Sequence, residues 1–140
     1  MDKVELHDTI LKVLREAAEA CTTLAGFILQ SAEHLRSGEI QEGNQLLSKV
    51  LDDFSVLVSF LEDVRRCTPF QEGGRNDSID ALDQESREMV GLLNMAVGAQ
   101  ENEDWVYLAD ILEYEFSQKL GSWDGLLKGM AQSRAAQPGL

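Results

Sequence analysis

A single stripe, apolar except at one histidine, runs without a break through the first quarter of the chain. Val4, His7, Leu11, Leu14, Ala18, Cys21, Ala25, Ile28, Ala32 and Leu35 alternate steps of three and four, the period of one face of an α-helix. Asp2, with Glu5 three residues on, supplies a capping pair before it, and Gly38 a left-handed stop after it. A second stripe follows almost at once through Ile40, Gly43, Leu47, Val50, Phe54, Leu57, Leu61 and Val64. Two long helices separated by so short a turn can only fold back on each other as a hairpin.

The stretch TPFQEGGRN, residues 68–76, cannot continue a helix, because Pro69 lacks a backbone donor and Gly73-Gly74 is a breaker pair. Beyond it Asp77 can cap a third helix that carries Ile79, Leu82, Met89, Val90, Leu93, Ala96 and Val97 on one side and ends before Glu101. Asn102 can cap a fourth, with Trp105, Leu108, Leu112, Phe116, Leu120, Trp123, Leu127 and Met130 as its core stripe. Short, long and short connections predict an all-α, four-helix up-and-down antiparallel bundle: one domain over residues 1–131, with a small, polar, flexible tail over 132–140. Acid-to-base pairs at i,i+4 support these helices: Asp8 with Lys12, Glu62 with Arg66, Asp83 with Arg87, Glu115 with Lys119 and Asp124 with Lys128.

Charge bears on the partners. With 12 basic against 25 acidic residues, the net charge of −13 repels phosphate backbones and anionic lipid heads, which argues against nucleic acid and membrane surfaces and for neutral or basic protein segments. No apolar run approaches the roughly 18 to 20 residues of a membrane span, and MDKVELHDTI lacks the pattern of a signal peptide, so a cytoplasmic location is expected. Cys21 lies on an apolar helical face and is expected in the core. Cys67 follows Arg65 and Arg66, which favour a thiolate, while the helix C-terminus there opposes one.

In the fourth helix LADILEYE, residues 108–115, followed by Leu120 and Trp123, resembles a motif of small bacterial helical-bundle proteins of unknown function. The resemblance implies an all-α fold and no chemistry. Nor do the residues themselves supply one. Carboxylate-bridged metal sites in bundles use inward glutamates and Glu-x-x-His pairs, whereas Val4 and Ser31 stand three before His7 and His34. Asp110 and Glu113, neighbours at i,i+3, offer a cation too few oxygens and read as a solvated rim. No phosphate-binding glycine loop or nucleophile motif occurs, so no catalytic residue, cofactor or metal is expected.

The outer face of the fourth helix carries the candidate partner-binding residues. Tyr107, Tyr114 and Gly121 follow at steps of seven, Asp110 lies between the tyrosines, and Gly121, Gly125 and Gly129 repeat at steps of four. Each interior glycine costs a helix about 0.8 to 1.0 kcal/mol relative to alanine. Either the helix weakens beyond Leu120, or the glycines admit the backbone of another helix while the tyrosines supply amphipathic contact area. The apolar arc of the first helix, widened by Leu6, Val13, Ala20 and Phe27, requires that helix to be central or to join a subunit interface. The expected function is a non-catalytic helical interaction module, an adaptor or chaperone-like binder, forming a homodimer. The alternative is a metal- or small-molecule-dependent enzyme whose site forms between subunits.

Overall fold

The structure, a computed structural model, describes residues 2–67 and 77–136. It is an all-α four-helix up-and-down bundle. Helix α1 spans Lys3–Arg36, α2 Ile40–Cys67 and α3 Asp77–Glu101. A C-terminal rod follows in three contiguous stretches: α4, Trp105–Asp110; a π-helical stretch, Ile111–Phe116; and α5, Ser117–Ala135. The expected caps at Asp77 and the readings of Ile79, Pro69, Gly73, Gly74 and the Cys67 thiol lie outside the described residues or side chains.

The termini form as their residues dictate. The Glu5 N–H donates to Asp2 Oδ1 at 2.8 Å, closing the N-terminus of α1. At the other end Gly38 adopts a φ of 82°, and the Glu39 N–H reaches back to the His34 carbonyl at 2.9 Å. The α3–α4 turn repeats that geometry with a different residue. Glu103 takes the left-handed position with φ 54°, and the Asp104 N–H bonds to the Ala99 carbonyl at 2.9 Å. The cap of α4 is Asp104, which accepts from the Tyr107 N–H at 3.2 Å, and not Asn102. Asn102 is taken up instead in the turn, its N–H bonded to the Gly98 carbonyl.

Helix α1 occupies the middle of the bundle, packed on α2 along one side and on the whole rod along the other. Its wide apolar arc is thereby consumed within the chain: Leu6, Val13 and Phe27 are partly buried against the core and Ala20 is half-buried. The α1–α2 seam is close at Gly43, where a Cβ would lie 2.8 Å from Leu35 and 3.2 Å from the Ser31 carbonyl oxygen. There the buried Ser31 hydroxyl donates to the Gly43 carbonyl at 2.7 Å. Phe54 of α2 meets Phe116 and Trp123 of the rod edge-on, with ring centroids 6.2 and 5.4 Å apart, so one aromatic cluster ties the hairpin to the rod. Helix α3 packs on the rod, and long polar side chains bridge it to α2 near both ends, through Asn44–Gln100 at 2.9 Å and Arg65–Asp83 at 2.6 Å.

Several expectations shift. Val4, Val90 and Val97 lie on the surface and not in the core stripes, while Leu82, Met89, Ala96 and Ala99 supply the buried line of α3. Rod helix α5 runs on to Ala135 with Ala131 buried, past the expected tail boundary at 132. Of the five i,i+4 ion pairs, Asp124–Lys128 forms at 2.9 Å. The others lose to different partners: Lys12 faces Glu16, Arg66 faces Asp63, Asp83 takes Arg65 of α2, and Lys119 crosses to Glu85 and Glu88 of α3. An exposed i,i+4 pair contributes only about 0.3 to 0.5 kcal/mol, so a better-placed partner on the same or a neighbouring helix displaces it.

Candidate interaction face of the C-terminal rod

The rod's core line explains its irregular middle. Leu108, Leu112, Phe116 and Leu120 are all fully buried, yet they are separated by three consecutive steps of four. In a regular α-helix each such step overshoots the face by about 40°, so the line would drift by roughly 120° out of the core. The chain holds all four inside by widening the turn. The Ser117 N–H bonds to the Leu112 carbonyl, five residues back, and Ile111–Phe116 is π-helical.

Asp110 and Glu113, three residues apart, meet on one cation. Arg36, the last residue of α1, places one guanidinium nitrogen 2.8 Å from Asp110 Oδ1 and the other 2.7 Å from Glu113 Oε2. Its charge also stands 6.0 Å from the centroid of the Tyr114 ring, a cation–π distance. The hydrogen bond to Asp110, reinforced by Glu113, pushes the Arg36 guanidinium further above its ordinary pKa. The rim reading of these two acids is thus refined: they are partly exposed but jointly engaged by a long side chain from another helix. The consecutive steps of four were visible in the sequence and could have announced the π turn. Nothing in the sequence announced Arg36, which lies 74 positions away.

The remaining candidates take separate positions along the rod. Tyr107 and Tyr114 stand on its surface, 46 % and 59 % exposed, with Val106 at 65 % beside Tyr107. Gly121, Gly125 and Gly129 are exposed on an intact helix, and a Cβ at any of them would have nothing within 4 Å. Helix α5 runs through the glycines to Ala135, with Trp123 and Leu127 buried on the opposite side.

The remaining titratable groups among the described residues are placed as follows. No group of three or more histidine, cysteine, aspartate or glutamate side chains is placed to hold a metal ion. Burial, with Asp124 nearby, pushes the Cys21 thiol up to about 12, which leaves it protonated and inert at neutral pH. The groove of about 470 Å³ between α3 and the rod, lined by Leu92 and Met95, is open, and the Lys119 amine beside it is engaged by Glu85 and Glu88. No described helix is long and apolar enough to cross a membrane.

Residues 12–125, which include parts of all four helices, match the model of a family described as a domain of unknown function (DUF8042). No curated protein and no solved structure matches the chain.

Proposed function

The chain belongs to the DUF8042 family, whose description assigns no activity, and from the surfaces of its fold we propose a non-catalytic helical interaction module, an adaptor or chaperone-like binder that pairs with a second copy of itself through the outer face of α5. One observation carries the reading: three glycines stand in a continuous, exposed helix where the chain itself has no use for their small size. Gly43 provides the internal contrast. There a Cβ would collide with Leu35, and the glycine is explained by the fold. At Gly121, Gly125 and Gly129 nothing among the described residues is close, although each costs the helix about 0.8 to 1.0 kcal/mol. A groove of that kind suits the close approach of another helix, with Tyr114 about two turns before it as a rigid amphipathic contact. Helix α1 packs on α2 and on the rod, so its wide apolar arc is largely covered within the chain and supports no subunit interface of its own.

The test is an alanine series at Gly121, Gly125 and Gly129, read by thermal unfolding and by sedimentation. Glycines that only face water would yield variants stabilised by up to about 1 kcal/mol each with unchanged assembly. On the proposed reading the added methyls force two helices apart, and Gly125→Ala, at the centre of the run, weakens dimerisation by about 1 to 3 kcal/mol. A Gly125→Ala protein that melts higher and assembles as before would end the proposal for this face.

A further inference from the structure

The two short turns of the bundle, α1–α2 and α3–α4, lie at one end of the molecule. The Asn44–Gln100 hydrogen bond and the Arg36–Asp110 ion pair tie them together. Besides Asp110 and Glu113, this end exposes Glu33, Glu39, Glu42, Glu101, Glu103 and Asp104. Among the described residues Arg36 is its arginine, already held between two carboxylates, and His34 is bonded to Glu39 at 3.2 Å. Beside this uncompensated charge stand the exposed side chains of Val106, Tyr107 and Tyr114. The surface is both apolar and strongly negative.

We propose that this end is a docking surface for an arginine-bearing amphipathic helix of a partner protein, whose apolar face covers Val106 and Tyr107 while its guanidinium groups meet the surrounding carboxylates. The inference rests on the reading of the protein as an interaction module but not on its dimerisation. Charge complementarity selects the occupant. A second copy would bring a like-charged end against this one, and phosphate-bearing partners carry the wrong sign. The protein also displays the recognition mode on itself. Arg36 is gripped by two carboxylates through separate nitrogens with an aromatic ring alongside, a combination of forked donors and a flat face that a planar guanidinium supplies.

The probe is a fluorescent synthetic amphipathic helix with leucine on one face and arginine on the other, compared with a version carrying glutamate in place of arginine. The intact protein should bind the arginine peptide, more weakly as salt is raised, and should ignore the glutamate peptide. Glu103→Gly should raise the melting temperature yet weaken binding at least about fivefold, opposite signs that a merely structural residue does not give. Val106→Ser with Tyr107→Ser should weaken it by a similar factor. Asp52→Asn, which removes one exposed charge from the middle of α2, should leave affinity unchanged. Equal binding of both peptides, undiminished binding to the end variants, or an equal loss with Asp52→Asn would overturn the proposal. Sedimentation of the same samples separates the two readings: a monomer that binds the peptide sinks the dimer alone, and a dimer that ignores it sinks this surface alone.

Discussion

Gly43 and Gly125 are the same residue type in the same kind of helix, yet their surroundings give alanine opposite meanings. At Gly43 the new methyl would meet Leu35 Cγ and Cδ2 at 2.8 Å and the Ser31 carbonyl at 3.2 Å, in a seam already fixed by the buried Ser31 hydroxyl. Neither a branched carbon nor a helix backbone yields cheaply, so Gly43→Ala should destabilise the protein by about 1 to 3 kcal/mol despite alanine's better helix propensity. Chemical denaturation checks this, and a variant as stable as the parent would show that α1 and α2 are less tightly held than described. The sequence placed Gly43 on the core stripe correctly. It could not say why a glycine stood there, because the reason is a side chain on another helix.

The elements divide in the same way between what local pattern reveals and what packing decides. The 3,4 rhythm exposes all four helices, the Asp2 cap and the Gly38 stop, since each is encoded within a few residues. The π turn is encoded in the spacing Leu108, Leu112, Phe116, Leu120, but a stripe read only for membership does not reveal its phase. The ion pairs differ for another reason: a lysine or arginine chooses among several acids, on its own helix for Lys12 and Arg66 and on a neighbouring one for Arg65 and Lys119, and a single spacing rule does not rank them. The candidate acids at 110 and 113 were legible as a pair, their partner Arg36 was not. The π turn amounts to one extra residue, which gives a sharp expectation. Deleting the exposed Glu115 should let an α-helix form while Leu108, Leu112, Phe116 and Leu120 keep their common face. Deleting Gln118 from the regular α5 should instead rotate Leu120, Trp123 and Leu127 by about 100° out of the core and abolish cooperative unfolding. Thermal melts of the two deletions decide it, and equal damage from both would contradict the account of the turn.

At the scale of the whole molecule, the bundle spends its largest apolar surfaces on itself and leaves scattered exposed hydrophobics on every helix, Leu29 of α1, Phe60 of α2, Val90 of α3 and Val106 of the rod among them, while the run of exposed glycines lies on the rod. Its charge, −13 overall, keeps such a chain soluble while opposing indiscriminate association, so a self-contact must lie where the like charges are sparse. The α5 glycine face meets that condition better than the acidic end that holds both short turns. The measurement that bears most directly on this account is sedimentation equilibrium of the unaltered protein over about 1 to 100 µM. A species of about 31 kDa, twice the 15.5 kDa chain, that dissociates on dilution and is weakened by Gly125→Ala is the predicted result. A clean 15.5 kDa monomer across the whole range would contradict the claim that the exposed glycine face joins two copies.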